Sequence, residues 1–186
     1  MSRQVFHLLM GIAIAFFVYI QMLSPLSMFV IIVLGILISL LCTKKRVPIV
    51  SWFLDKFERK NQHPGKGAIF FFLGSLIAMA LFPRDIASAS ILILAVGDSV
   101  SPIVGIHGCV KHPLNSKKFL EGTTAGFVSS FIVAMMVVNP LEALFGSFIG
   151  MTIEALDLKA GVRKIDDNLT IPMTAGLAMI IIRLLL

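Results

Sequence analysis

The sequence predicts an all-α, polytopic membrane protein with about seven transmembrane helices. Of its 186 residues, 58% are apolar and only 14% are charged, and the mean hydropathy is +0.97. A soluble domain is about 45–50% apolar and about 25% charged, which excludes an ordinary soluble enzyme and a binding module with one membrane anchor. Long apolar segments also remain when the polar stretches 43–66 and 106–122 are set aside.

Seven apolar segments are candidate spans, because each approaches the ~20 residues that cross a hydrocarbon core. Most of them end at a proline turn or a charged run, such as Ser24-Pro25, the run 43–46, or Asn139-Pro140. The fourth span is expected to be interrupted at Gly97-Asp98, where the helix can break. We interpret the first segment as a span and not a cleavable signal, because its apolar run is too long and no small-x-small site follows it. The predicted spans are 5–23, 26–42, 67–82, 86–104, 123–138, 141–155 and 171–186, in a single domain over residues 1–186.

The distribution of basic residues predicts the orientation. With a cytoplasmic N-terminus, seven spans place 14 of the 16 Lys and Arg residues on the inner side, and only Arg84 and Arg183 outside. The positive-inside rule favours this arrangement. We therefore expect a cytoplasmic N-terminus and cytoplasmic loops at 43–66, 106–122 and 156–170, with the C-terminus outside. Membrane orientation accounts for the basic excess, and no nucleic-acid partner is expected.

Asp98 is the clearest polar residue inside a predicted span. An ionisable group at such a depth costs about 2.5–3.5 kcal/mol on insertion scales and marks a functional site by default. Gly97, Pro102 and Gly105 surround it and would allow the helix to break and expose polar backbone groups. The sequence therefore favours a metal ligand or catalytic carboxylate, and the open alternative is a helix cap against Ser101.

A second set of acidic residues lies near the predicted inner face. Glu154 and Asp157 are three residues apart on one helical face, and Asp166-Asp167-Asn168 precede the last span. Oxygen-only ligands without His or Cys suit Mg²⁺, which binds one or two carboxylates together with substrate phosphates. Capping of the last helix by Asp166 or Asn168 is the alternative for one of these residues.

The segment from Lys111 to Thr124 combines lysines, a glycine and hydroxyl groups at the start of a helix, which are the parts of an anion site. The alternative is ordinary positive-inside charge, with Thr123 as the helix cap. His7 lies one turn from Arg3, where a structural contact and a site role are both open. Glu142 is expected to be an interfacial residue at the outer end of the sixth span.

An anionic ligand, a divalent metal and a membrane-embedded site together describe phosphoryl or nucleotidyl transfer to a lipid. At this point the sequence resembles the CTP-dependent lipid kinase family that includes dolichol kinase, phytol kinase and the fungal-type diacylglycerol kinase. The resemblance rests on several segments in order along most of the chain. They are Arg3 with His7, Glu58 followed by Gly67 to Leu73, Gly97-Asp98 with Gly105, Lys118-x-x-Glu121-Gly122-Thr123, and Glu154 followed by Asp166 to Pro172.

Three positions depart from the family pattern. Gln4 stands where Lys is usual, Ser101 replaces Ala, and Phe119 replaces the hydroxyl residue that contacts phosphate in the family.

The resemblance implies transfer of the γ-phosphate of CTP to the hydroxyl group of a membrane alcohol, with polyprenol or dolichol as the expected class. It implies Asp98, Glu154 and Asp167 as catalytic residues, with Asp98 preferred as the base. A divalent cation, Mg²⁺ or another, would bind at Asp98, Glu154, Asp166 and Asp167. The residues implied in CTP binding are Lys117, Lys118, Glu121, Gly122, Thr123, Asn168, Arg3 and Gly105.

Two other functions stay open at this stage. A CDP-lipid synthase would use the same nucleotide and metal but would release pyrophosphate. A membrane transporter would bind its substrate without turning over nucleotide. The sequence leaves open which alcohol is used, whether CTP is preferred to ATP, and whether the protein forms oligomers.

Overall fold

The computed structural model describes residues 2–44, 65–156, 159–160 and 163–186. In these ranges the chain forms seven helices. They are α1 (Ser2–Tyr19), α2 (Pro25–Lys44), α3 (Lys66–Leu81), α4 (Arg84–Gly105), α5 (Leu120–Ala134), α6 (Pro140–Leu156) and α7 (Asp167–Leu185). The all-α prediction is thus confirmed for the bulk of the fold.

Two short antiparallel hairpins join the helices in segments that the sequence predicted as loops. The first pairs β1 (Lys111–His112) with β2 (Asn115–Phe119), and the second pairs β3 (Lys159–Ala160) with β4 (Arg163–Lys164). A two-stranded hairpin is only marginally stable by itself. The first hairpin is therefore expected to depend on contacts with the neighbouring helices, and these contacts shape the candidate site.

The fourth helix differs from the prediction. We expected an interruption at Gly97-Asp98, but α4 is continuous from Arg84 to Gly105, so that expectation is wrong. Gly97 serves close packing instead, because a Cβ at this position would collide with the Met151 sulfur of α6. Pro102 lies inside the helix and has no N–H, so the carbonyl group of Asp98 lacks its usual helical donor.

The last helix begins four residues before the predicted span. Asp166 provides the N-cap, since its Oδ1 accepts a hydrogen bond of 3.2 Å from the Asn168 N–H. This confirms the capping alternative for Asp166. Pro172 then lies in the second turn, where its missing N–H leaves the carbonyl group of Asn168 without a helical donor.

α4 is the central helix of the bundle. It packs against α1, α3, α5, α6 and α7, and 72% of its span is buried. Small residues allow this close packing: a Cβ on Gly11 of α1 would collide with Ala95, and one on Gly122 of α5 would meet the carbonyl oxygen of Ser101. α2, by contrast, contacts mainly α3, and only 11% of its span is buried.

Three of the described helices are long and apolar enough to cross a membrane: Pro25–Cys42 within α2, Arg84–Gly105 and Asp167–Leu185. Shorter apolar helices lie at Arg3–Tyr19, Lys66–Leu81 and Leu120–Ala134. These findings indicate a membrane protein. The prediction of seven spans is not confirmed by helix length and composition.

One end of the bundle is closed by an ionic cluster of three side chains. Arg183 of α7 donates to Asp85 of α4 at 2.6 and 3.2 Å and to Glu142 of α6 at 2.7 and 2.9 Å. Glu142 lies in the first turn of α6 and is buried in this cluster. We call this the ionic end of the bundle, and the end that carries His7, Asp98 and Glu154 the site end.

Candidate functional site

Charged side chains from several elements converge at the site end. The structure brings His7 of α1, Asp98 of α4, Glu154 of α6, Lys118 of β2 and the first residues of α7 into one region. These elements are far apart in the sequence. The convergence arises because α4 and α6 both run toward the site end, whereas α1 and α7 begin there.

The tightest contact joins Lys118 and Glu154. The Lys118 Nζ lies 2.6 Å from Glu154 Oε1, and it also donates to the backbone carbonyl oxygen of Glu154. The Glu154 side chain is only 6% exposed, and its Oε2 has no hydrogen-bond partner among the described residues. A buried carboxylate oxygen with a free acceptor position can still bind a donor or a cation.

Asp98 and His7 form a looser pair. The His7 Nε2 lies 3.8 Å from Asp98 Oδ2, and the Asp98 side chain is 33% exposed. The His7 ring packs edge-on against Phe71, with 4.6 Å between ring centroids. Its Nε2 is buried without a hydrogen-bond partner in the described part of the chain. This geometry fixes the ring and leaves the Asp98 carboxylate accessible.

The acidic residues lie within electrostatic reach of one another. The charges of Asp98 and Asp167 both interact electrostatically with Glu154. Those of Asp166 and Arg3 interact in the same way with His7. Asp157, which the sequence placed in the same group, lies outside the described residues. Asp98 and Asp167 thus both lie in the neighbourhood of Glu154, and the catalytic roles of the three carboxylates remain predictions.

Asn168 adds a polar group to this region. Its Nδ2 donates to Asp166 Oδ1 at 2.7 Å, and its own Oδ1 is buried without a partner among the described residues. Its backbone carbonyl oxygen, which Pro172 leaves without a helical donor, lies against Gly74 of α3, where a Cβ would collide with it. Both Asp98 and Asn168 therefore stand four residues before a proline. This shared spacing is visible in the sequence.

Glu121 has a different environment from the one the sequence suggested. Its Oε1 accepts hydrogen bonds from the backbone N–H groups of Cys109 (2.9 Å) and Val110 (3.0 Å). The Cys109 bond, together with that of Val110, holds the pKa of Glu121 below its ordinary value. The carboxylate therefore closes the loop that enters the first hairpin. Lys117 is exposed on the same hairpin.

The predicted phosphate-binding glycines lie at a helix contact. Gly122 of α5 packs against Gly105 and Ser101 of α4, with little room for a side chain. Thr123 is not the cap of α5, because the N-cap position is Phe119 and has no side-chain cap. The Thr123 Oγ1 is instead buried without a partner among the described residues. Neighbouring helices impose these positions, and the sequence motif alone does not show them.

The divalent metal is not shown by the structure. Among the described residues, no group of three or more His, Cys, Asp or Glu side chains is arranged to hold a metal ion. The free oxygens of Glu154 and Asn168 are nonetheless the hard ligands that suit Mg²⁺. Because Mg²⁺ commonly uses only one or two protein carboxylates with phosphates and water, the donor set fits such an ion.

Sequence reasoning missed Asn115, which connects the first hairpin to α6. Its Nδ2 donates to the carbonyl oxygen of Ala155 at 3.1 Å, and its Oδ1 accepts from the Lys117 N–H at 3.1 Å. Asparagine in a polar loop is an ordinary turn residue. No sequence signal distinguished it, because its partner lies 40 residues away.

Comparison with known proteins identifies relatives in two groups. No model of a known protein family and no solved structure matches the chain. The uncharacterized protein MJ1137 of Methanocaldococcus jannaschii is 38% identical over 175 residues, covering 91% of this chain and 87% of that protein. The second group consists of eukaryotic lipid kinases that match over part of their length.

Two of these kinases illustrate the match. The CTP-dependent diacylglycerol kinase 1 of Schizosaccharomyces pombe is 28% identical over 143 residues, covering 67% of this chain and 64% of the kinase. A Triticum aestivum protein described as "Probable phytol kinase, chloroplastic" is 25% identical over 135 residues, covering 64% of this chain and 45% of that protein. The chain thus spans between about half and two thirds of the length of these kinases. It belongs to the family of the Methanocaldococcus jannaschii protein, and it is a distant homologue of the CTP-dependent lipid kinases.

Proposed function

We propose that this protein is a CTP-dependent lipid kinase that phosphorylates a membrane alcohol of the polyprenol or dolichol class. The observation that carries the proposal is the convergence of Asp98, Glu154 and Lys118 at one end of an apolar bundle. Carboxylates and a lysine in such a place can orient a hydroxyl group and a triphosphate. The similarity to CTP-dependent lipid kinases supports CTP as the donor.

The reaction is an in-line transfer of one phosphoryl group. The alcohol oxygen bonds to the γ-phosphorus, the bond from that phosphorus to the β–γ bridging oxygen breaks, and CDP leaves. The hydroxyl proton passes to a base, for which we propose Asp98, because its carboxylate is accessible and lies beside the fixed ring of His7. Such a reaction depends mainly on positioning and on charge stabilisation.

The phosphate groups of CTP are proposed to bind beside the first hairpin. Lys118 and the exposed Lys117 supply positive charge, and Thr123 contributes the hydroxyl group that has no partner in the described residues. Glu121, Gly105 and Gly122 act indirectly in this proposal, since the carboxylate closes the hairpin loop and the glycines allow α5 to approach α4. Arg3 and Asn168 complete the proposed nucleotide contacts.

A divalent cation would be held by carboxylates at the site end. Asp98, Glu154, Asp166 and Asp167 are the proposed ligands, with Asp166 the weakest candidate because it already caps α7. The ion would neutralise charge on the transferred phosphoryl group. Lys118 reduces the repulsion that the buried Glu154 carboxylate would otherwise exert on a triphosphate.

The test is a product analysis with purified protein in lipid nanodiscs. Labelled CTP or ATP is supplied with Mg²⁺ and a panel of polyprenol, dolichol, phytol and diacylglycerol. We expect CDP and a lipid monophosphate from CTP, with the polyprenol or dolichol preferred. Pyrophosphate with a CDP-lipid would identify a synthase instead, and binding without turnover would indicate a transporter.

A matched pair of variants on one helix tests the role of Asp98. Asp98→Asn should lower the rate at least about a hundredfold, because the variant loses a general base. Asp85→Asn makes the same chemical change at the ionic end of α4 and should retain turnover per folded molecule. Wild-type activity in a well-folded Asp98→Asn protein would overturn the proposed role of Asp98.

A further inference from the structure

The first hairpin is attached to the end of α6 at two adjacent points. Asn115 Nδ2 donates to the carbonyl oxygen of Ala155, and Lys118 Nζ donates to the carbonyl oxygen of Glu154. Both donors belong to β2, and both acceptors lie in the last turn of α6, which ends at Leu156. Two consecutive peptide groups of one helix thus hold one strand.

The end of a helix needs such donors. The last four carbonyl groups of an α-helix have no donor within the helix, and together they carry a partial negative charge. In this protein a neighbouring hairpin supplies donors for two of them. The hairpin thus caps the C-terminus of α6, and the same two bonds fix the position of the hairpin on that helix.

Asn115 is the rigid part of this attachment. Its side chain has few rotatable bonds, and its Oδ1 is also bonded to the Lys117 N–H of the same strand. Lys118 reaches Glu154 through a flexible four-carbon chain that could adopt many conformations if the strand moved. The bond between Asn115 and Ala155 therefore fixes the point from which Lys118 extends.

We propose that Asn115 is a positioning residue that holds β2 on α6, so that Lys118 Nζ is placed for the phosphate groups of the nucleotide. This inference rests on the proposed kinase function and adds a residue to it. Asn115 itself touches neither nucleotide nor lipid. Its loss should weaken nucleotide use and leave use of the alcohol unchanged.

Four variants of the full-length protein separate this role from others. Asn115→Asp keeps the acceptor for Lys117 N–H but loses the donor to Ala155, and Asn115→Ala removes both without adding charge. Each should raise the KM for CTP about fivefold to tenfold, with the KM for the alcohol at the wild-type value. Asn115→Gln retains both groups on a longer chain and should recover part of the loss. Ser116→Ala, at an exposed neighbouring position, is the control and should behave as wild type.

A second measurement does not require turnover. Peptide-resolved amine labelling reports how well the ion pair with Glu154 protects Lys118. Labelling of Lys118 should increase in Asn115→Asp and Asn115→Ala and stay at the wild-type level in Ser116→Ala. Unchanged labelling in both Asn115 variants would overturn the inference, as would increased labelling with an unchanged KM for CTP.

The two proposals can fail separately. If the wild-type protein neither binds nor turns over any nucleotide, the proposed function fails, and the role of Asn115 in that reaction fails with it. The labelling comparison would still measure the attachment of the hairpin to α6. If the wild-type protein is an active kinase and the Asn115 variants match it in KM for CTP, only the present inference is wrong.

Discussion

At the scale of single residues, the Lys118–Glu154 pair determines how a buried carboxylate is tolerated at the site end. The Glu154 side chain is 6% exposed and that of Lys118 23% exposed. Removing one partner of such a pair leaves the other charge buried and uncompensated. This lowers the stability of the folded protein by more than the intact pair raises it. The same pair therefore couples the stability of α6 to the proposed nucleotide site.

A double-mutant cycle tests this coupling. Lys118→Ala should lower the free energy of unfolding by about 1.5–3 kcal/mol, because a charge-assisted bond is lost and Glu154 stays buried. In a Glu154→Gln background, Lys118→Ala should lower the free energy of unfolding by a smaller amount, since no buried charge is left behind. Reversible unfolding in mixed micelles gives the free energy of unfolding of the wild type, the two single variants and the double variant.

Lys117→Ala is the control and should change the free energy of unfolding by less than about 0.5 kcal/mol, because its side chain is exposed. Additive effects would show that Lys118 and Glu154 are not coupled.

At the scale of elements, the first hairpin depends on Glu121 at its entrance. The carboxylate accepts hydrogen bonds from the N–H groups of Cys109 and Val110, and its lowered pKa means that folding favours the charged form. A lowered pKa adds stability that is present above the ordinary value of 4.5 and is lost as the pH falls through the lower value in the folded protein.

We therefore expect the hairpin to loosen in acid below pH 4.5. Hydrogen exchange of the Cys109 and Val110 amides, corrected for the intrinsic effect of pH, should show a loss of protection on acidification. In Glu121→Gln the protection should be lower at neutral pH and should lose this pH dependence. If wild type and variant show the same profile, another group holds the loop closed.

The elements that the sequence predicted well are those with a strong apolar pattern. Seven helices lie where seven apolar segments were predicted, with ends shifted by up to four residues. The sequence also indicated Asp98 and Glu154 from their cost in an apolar segment, and the structure places both at the site end. Local composition is sufficient for both predictions.

Contacts between distant residues could not be predicted in this way. The hairpin at Lys111–His112 and Asn115–Phe119 depends on α6, and its anchor at Asn115 has a partner 40 residues away. Glu142 is polar at a predicted helix end, and only its contact with Arg183, 41 residues away, explains its burial. The tight packing of Gly122 against α4 is likewise not visible in its sequence motif.

At the scale of the whole molecule, the two ends of the bundle differ in charge chemistry. The ionic end is closed by Arg183 with Asp85 and Glu142, whereas the site end carries both hairpins and the candidate site. Among the described residues, most Lys and Arg positions lie at or beyond the helix ends that meet at the site end. By the positive-inside rule, this end should face the cytoplasm, where a soluble nucleotide can reach it.

Cysteine accessibility in sealed cells tests this orientation. The native Cys42 and Cys109 are first replaced by Ser, and single cysteines are then introduced as Leu114→Cys at the tip of the first hairpin, Lys164→Cys in β4, and Met136→Cys in the turn between α5 and α6. Leu114 and Met136 are both exposed, so each position should react with a thiol reagent. An impermeant reagent added outside should label Met136→Cys in intact cells, and it should label the other two only after the membrane is opened. The comparison within one protein background controls for expression and reagent activity.

Labelling of Leu114→Cys and Lys164→Cys from opposite sides would contradict the shared inner face. If Leu114→Cys and Met136→Cys are labelled from the same side, α5 does not cross the membrane, and the predicted orientation is wrong.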